Sequence, residues 1–472
     1  MRKNPYYILS TIGDEFYLVP FGQAIEDHAR TVCISEVAAF IWDEMDANQD
    51  VEALAGRLAE EYEVMLEEVG SLEGDVKALL KDLEKEGIVY NNKDATRTVA
   101  GFFLSRRRKR VDNNEEKRAA LCDIERRLFH TVRIAGITIR LFGGEKYFSD
   151  SFKPFSVDAD RCDFAGGEEG RLNEGAANFD GHIGAEAHES IEENEINVYV
   201  IEDNPSKAGY LPTVLCGMAV ELYDGGDYYV MRSIDMPEMK EGHFRKDGSK
   251  AVLYMNPDAE LPDFVKRYRY DQMEDERFKR RWKSPEDVQV DYAGSVFHAI
   301  RHAFLLRAQL LDMYVIHSAS ILYNGQAWLF SALSGTGKST HTNLWHKLYG
   351  TPFLDGDLNL LAFEDGKPVV KGIPWCGTSG IFTTETYPLG GIILLARDKT
   401  NHVEELSYQN QVLGIQMRFI SPKWNAKQTL ESLDFAERIA KSARIARLYC
   451  NMEDEAAEVC RAWIDNGKSK IF

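Results

Sequence analysis

Residues 332–340 read Ala332-Leu333-Ser334-Gly335-Thr336-Gly337-Lys338-Ser339-Thr340, a lysine, two glycines and four hydroxyls in nine positions. The apolar run 327–330 precedes them, and Leu344, Trp345 and Leu348 follow at helical spacing. A strand, a glycine loop and a helix in that order make a phosphate cradle. Glycines let backbone N–H groups converge on phosphate oxygens, and the helix N-terminus adds positive potential. Ser334, Gly335, Thr336, Gly337, Lys338, Ser339 and Thr340 are therefore the expected nucleotide-binding residues. Lys338 supplies a point charge for the β- and γ-phosphates, Ser339 offers a hydroxyl to Mg²⁺, and Thr340 adds a second hydroxyl. Ala332 stands where the general P-loop pattern has its first glycine. Downstream, Asp355-Gly356-Asp357 sits at the edge of an apolar run, a spacing that lets one carboxylate hold Mg²⁺ and the other take a proton.

The elements that must position these groups are legible nearby. Residues 317–323, Asn324-Gly325 and residues 326–330 predict an antiparallel hairpin with a primed turn feeding the loop. Switch-type GTPases reach their loop from a buried parallel strand instead. A helix is expected over 290–311. It places His298 and His302 on one face, but without the glutamate of an HExxH motif or a third ligand they read as ordinary helix histidines. Arg397, after the run 392–396, reads equally as a phosphate contact or a surface charge.

Composition bounds the rest. The 472 residues are 44% hydrophobic and carry a formal charge of −20, which disfavours general nucleic-acid or anionic-membrane binding. No apolar stretch is long enough to span a bilayer and no signal-peptide core is visible, so a soluble, cytoplasmic protein is expected. Seven scattered cysteines form no CxxC pair, and neither zinc nor disulfides are expected. The fold class read from these patterns is α/β multidomain. Its expected parts are residues 1–92, a linker at 93–125 with the basic run 106–110, an accessory α/β region at 126–290, and a P-loop domain at 291–472. Residues 166–194, rich in Gly, Glu and Ala, read as a mobile loop.

Within the first part, alternation predicts a hairpin around Gly13-Asp14 and a short third strand over 30–34. Three helices follow, the first two capped by Ser35 and Asp50 and the third stopping at Gly87. A small sheet with three helices has the outline of a winged helix. DNA binding is disfavoured, because residues 1–92 carry seven Lys or Arg against twenty Asp or Glu, a net −13. A short sheet with an exposed edge can instead capture an extended peptide by strand addition. The order hairpin, SEVAAFIWDEMD, VEALAGRLAEEY, VKALLKDLEKEGIVYN resembles the PqqD-like domains, the precursor-recognition elements of ribosomally made, modified peptides. The resemblance implies a leader peptide docked between the third strand, residues 30–34, and the third helix, residues 69–83.

The stretches IHSAS, ALSGTGKST, FLDGDLNLL and Lys371-Gly372-Ile373-Pro374-Trp375-Cys376-Gly377 together resemble the HPr kinase and phosphoenolpyruvate carboxykinase superfamily over residues 290–460. That family usually has adjacent aspartates after the P-loop, whereas Gly356 separates them here. The resemblance implies in-line phosphoryl transfer from MgATP. Asp357 and Ser339 would hold the metal, Asp355 would accept the proton of the attacking hydroxyl, and His317 would orient that carboxylate. Which aspartate takes which role stays open. Joined, the two resemblances imply an ATP-dependent kinase acting on a Ser or Thr hydroxyl of a precursor peptide, and a homo-oligomer is compatible with the sequence. A nucleotide-gated leader-peptide chaperone and a small-molecule phosphotransferase are the alternatives.

Overall fold

The computed structural model describes residues 1–46, 50–63, 69–90, 128–157, 194–205, 211–216, 220–233, 235–271, 284–332, 336–377 and 379–467. The expected linker at 93–125 lies outside them. So does the expected mobile loop, apart from Asn194.

The N-terminal unit contains β1 (Arg2–Lys3), β2 (Tyr7–Ile12), β3 (Glu15–Pro20), α1 (Gln23–Glu26), β4 (Val32–Ile34), α2 (Glu36–Glu44), α3 (Val51–Glu61), α4 (Val69–Lys85) and β5 (Val89–Tyr90). Strands β2, β3 and β4 form an antiparallel sheet, and β1 pairs with β5. Ser35 Oγ accepts the Ala38 N–H at 3.2 Å and Asp50 Oδ1 the Ala53 N–H at 2.7 Å, so both anticipated caps form. Leu18, Ile41, Trp42, Leu54, Leu58, Val76 and Leu80 make this unit's own core.

The hairpin departs from its sequence reading in one respect. Alternation predicts one buried face, yet Tyr17, Leu18, Val19 and Pro20 are all buried. Leu18 faces the helices of the N-terminal unit, whereas Ile12, Tyr17 and Val19 join a second core with Val412, Ile415, Leu433 and Ile439.

The middle sheet is built from β6 (Leu128–Ile134), β7 (Ile137–Phe142), β8 (Glu195–Ile201), β9 (Leu211–Cys216), β10 (Val220–Asp224), β11 (Tyr228–Ser233), β12 (Met239–Arg245) and β13 (Lys250–Met255), followed by α5 (Asp263–Asp271). Its spatial order is β6-β7-β8-β13-β12-β11-β10-β9. Strands β9, β10 and β12 were not apparent from sequence. Helix α6 (Tyr292–Leu310) buries Val296, Ala299, Ile300, Ala303 and Phe304 in a core that includes Ile196, Leu253 and Phe244 of this sheet and Val315, Leu358 and Leu360 beyond it. A helix apolar around most of its circumference belongs between two layers.

Glu238 holds the start of α6 in place. Its carboxylate is fully buried and accepts both Arg269 Nη1 and Nη2 at 2.8 Å, the Asp291 N–H at 2.9 Å and Ser295 Oγ at 3.0 Å. Burial alone would raise its pKa; the Arg269 and Asp291 donors outweigh that and lower it.

The last layer contains β14 (Tyr314–Tyr323), β15 (Gln326–Ser331), α7 (Lys338–Tyr349), β16 (Phe353–Asp355), β17 (Leu358–Glu364), β18 (Lys367–Lys371), β19 (Thr386–Arg397), β20 (His402–Glu405), α8 (Tyr408–Gln416), α9 (Ala426–Ser442), β21 (Arg444–Cys450) and α10 (Asp454–Asn466). The anticipated hairpin forms, with Asn324 at φ 51° and Gly325 at φ 73°, as a primed turn requires. Strand β14 divides its pairing. Residues 314–317 lie against β17 and residues 318–323 against β15. Because β15 also pairs in parallel with β19, strands β14, β17, β18, β19 and β15 form a ring of pairings.

The segment 418–424 ties the N-terminal unit to this ring. The His317 N–H donates to Arg418 O at 3.0 Å and the Ile420 N–H to Val315 O at 2.9 Å, while the Gly22 N–H donates to Lys423 O at 2.8 Å. Gly22 has φ +52°, and a Cβ there would lie 3.1 Å from Trp424 O.

Candidate functional site

His317 is the last residue of β14 paired with β17, at the point where the strand changes partner. This places its side chain beside the turn between β16 and β17, which carries Asp355, Gly356 and Asp357. His317 Nε2 lies 3.0 Å from Asp357 Oδ1 and 2.8 Å from Lys338 Nζ. Lysine, imidazole and carboxylate thus converge on one nitrogen, although 40 residues separate the outer members of the His–Asp pair. That nitrogen either accepts from Lys338 or donates to Asp357, and cannot do both at once.

The sequence reading set His317 against Asp355; the structure sets it against Asp357. Asp355 is only 4% exposed, and its Oδ1 accepts the N–H groups of Asp357 at 2.9 Å and Leu358 at 3.0 Å. Its Oδ2 is buried with no hydrogen-bond partner among the described residues. Burial raises this carboxyl's pKa well above the usual value, and the nearby Asp357 pushes the same way against the backbone donors.

A buried polar network fixes the strands beneath. Asn359 Nδ2 donates to Ser318 O at 2.7 Å and Ser318 Oγ at 3.0 Å, Ser320 Oγ donates to Asn359 Oδ1 at 2.7 Å, and the Asp355 N–H donates to Ser320 Oγ at 3.0 Å. Satisfied polar groups in a core specify one register rather than several.

Gly356 has a steric reason to separate the acids. A Cβ there would lie 2.0 Å from Ser379 Oγ, and Ser379 Oγ itself donates to Cys376 O at 2.7 Å and accepts the Ile381 N–H at 3.1 Å. Gly377, at φ +60°, lies against Asp357, where a Cβ would come to 3.0 Å. The segment after β18 is therefore folded down onto the acidic turn. Gly356→Val is expected to cost about 1–3 kcal/mol by overpacking and to lower phosphoryl transfer along with the thermal midpoint.

Gly337, at φ 114°, starts α7, and Lys338, Ser339 and Thr340 form its first turn. Thr336 is also described, while Ser334 and Gly335 lie outside the described residues. Arg397 is exposed at the end of β19. His302 packs edge-on to Phe244, and burial pushes its pKa down to about 3. Among the described residues no cluster of three or more His, Cys, Asp or Glu could hold a metal ion. Mg²⁺ in phosphoryl-transfer sites takes one or two protein oxygens together with substrate phosphates and water, and needs no larger cluster. Asp355, Asp357 and the exposed Ser339 hydroxyl supply oxygens of that kind.

Sequence reasoning missed a pocket of about 310 Å³ bordered by His317 and Asp357. Arg301, His302 and Leu305 of α6 line it, with Leu358, Ile420, Pro422 and Trp424. An arginine within a largely apolar helix was the available signal.

Similarity to known proteins is uneven along the chain. Residues 27–89 match the PqqD family, described as Coenzyme PQQ synthesis protein D (PqqD). The match contains β4, α2, α3 and α4 and ends in β5. No curated protein is similar enough to the chain to count as a relative. Similar solved structures include the Hpr(Ser) kinase/phosphatase from Coxiella burnetii, at 10% identity, covering 31% of this chain and 94% of that one, with a TM-score of 0.18. A TM-score that low carries no weight for fold or activity. The case for phosphate chemistry rests on the site itself. Among the described residues no helix is long and apolar enough to cross a membrane.

Proposed function

We propose that the chain is an ATP-dependent kinase that phosphorylates a Ser or Thr hydroxyl of a ribosomally made precursor peptide held by its PqqD domain. One observation carries the catalytic half: the convergence of Lys338, from the glycine-loop helix, and Asp357, from the acidic turn, on His317. The PqqD match supports the peptide-binding half.

In this reading the phosphates of ATP lie along 334–340, and Lys338 swings from His317 to the β- and γ-phosphates as they arrive. Nε2 of His317 is then free to donate to Asp357, which fixes the carboxylate for the acceptor hydroxyl. Asp357 takes the hydroxyl proton as the oxygen attacks the γ-phosphorus in line and the bond to ADP breaks. Asp355 Oδ2 and Ser339 would hold Mg²⁺, with Asp357 the remaining candidate ligand. When bound, the metal neutralises charge developing on the phosphate oxygens. Relative to the sequence reading this exchanges the two aspartates, because the imidazole partners Asp357.

The test is intact-mass spectrometry of a precursor peptide encoded beside this protein, incubated with the protein, Mg²⁺ and ATP. The expected product is heavier by one phosphoryl group, and Lys338→Ala abolishes it while leaving leader binding unchanged. Binding without any mass change would favour a nucleotide-gated chaperone. Transfer to a metabolite that survives deletion of residues 1–92 would favour a small-molecule phosphotransferase.

A further inference from the structure

Arg301 sits in the wall of the pocket that borders His317 and Asp357, and it makes no hydrogen bond or ion pair with any described residue. Its Nε is buried. An unpaired guanidinium in a partly enclosed site is costly, and such groups are retained where a ligand completes them. Asp357 and Asp235 are near enough to favour its charge, but burial outweighs them and lowers its pKa. Neighbouring His302 adds no charge, since burial holds its pKa near 3.

We propose that this pocket is the acceptor subsite and that Arg301 binds a carboxylate on the substrate, the side chain of an Asp or Glu next to the acceptor Ser or Thr. The inference rests on the kinase reading above and adds the chemistry that the site selects. Two observations favour a peptide carboxylate over a phosphate. None of residues 336–340 lines the pocket. Its other walls, Leu305, Leu358, Ile420, Pro422 and Trp424, suit the carbon skeleton of a residue. A planar guanidinium also matches a carboxylate in two parallel hydrogen bonds, which would anchor the chain with its neighbouring hydroxyl towards Asp357.

The test uses the full-length protein and two tripeptides, acetyl-Asp-Ser-Asp-amide and acetyl-Asn-Ser-Asn-amide, which share shape and acceptor and differ in charge. Wild-type protein is expected to phosphorylate the acidic peptide with kcat/KM about tenfold higher, the difference residing in KM. Arg301→Gln should bring the two peptides to parity, and Arg301→Lys, which keeps the charge, should restore part of the preference. Equal use of both peptides by the wild type would overturn the proposal. So would an Arg301→Gln variant, folded by circular dichroism, whose kcat falls equally on both, since that would put the guanidinium on the transferred phosphoryl group. If neither peptide is phosphorylated, the kinase reading is what has failed on these probes. Saturation-transfer NMR then decides the subsite separately: binding of the acidic peptide that is lost in Arg301→Gln supports it, and equal binding by both proteins overturns it.

Discussion

Asp357→Asn is expected to bind ATP normally and to transfer phosphate about 10²–10⁴-fold more slowly, the usual contribution of a positioned general base. Asparagine keeps the shape of the side chain and removes its ability to take a proton, so kcat should carry the loss. The matched variant, Asp355→Asn, retains an oxygen for the backbone N–H groups of Asp357 and Leu358. Its defect should appear as a raised Mg²⁺ requirement, relieved in part by excess metal. Rapid-quench measurements across a Mg²⁺ series separate the two. If Asp357→Asn is rescued by metal and Asp355→Asn is not, the roles are the reverse of those proposed here.

The largest effect on stability is expected at Glu238. Removing its side chain takes the carboxylate from a partly exposed Arg269, which keeps only the Asp235 carbonyl among the described residues, and leaves the Asp291 N–H and Ser295 hydroxyl without their acceptor. Breaking a buried pair in this way costs about 3–5 kcal/mol. Glu238→Ala should therefore lower the urea midpoint of the transition that unfolds the middle sheet, and loosen the start of α6. Glu238→Gln, which keeps the shape and one acceptor, should lose less. A midpoint unchanged in both variants would show that Arg269 finds another partner at no cost. Because α6 also carries Arg301, folded Glu238→Gln should weaken selection between acidic and neutral acceptors before it affects ATP binding.

Local signals made much of the architecture legible. Ser35, Asp50 and Gly87 mark helix ends by capping chemistry, and Asn324-Gly325 announces a primed turn, so those elements stand where the sequence placed them. Lys338 and the two aspartates were likewise visible in short motifs. What sequence could not show is contact across distance. The pairing of His317 with Asp357 depends on β14 changing partner at that residue, and nothing in IHSAS encodes which strand lies opposite. Arg301 carried a weak signal because an arginine within a helix ordinarily reaches solvent, and only the packing of α6 between two layers encloses it. Strand β9 escaped because Pro212 reads against a strand, β10 because it is only five residues long, and β12 because Glu241 and Gly242 interrupt its alternation. The hairpin showed its pattern but not its second partner, since period-two alternation does not reveal that both faces are covered.

The shared hairpin core and the segment 418–424 bear on the geometry of catalysis. A recognition domain on a flexible tether raises local concentration and lets a bound peptide sample many residues at the active centre. Here Ile12, Tyr17 and Val19 are built into the same core as the sheet that carries His317, and the strip that receives Gly22 at one end is hydrogen-bonded to His317 at the other. Both anchors then belong to one frame, and the span between them is constant. A peptide held by its leader would present to Asp357 only those residues that its own contour length can bring there, so the count of residues from the leader would act as a ruler alongside the chemistry of the acceptor.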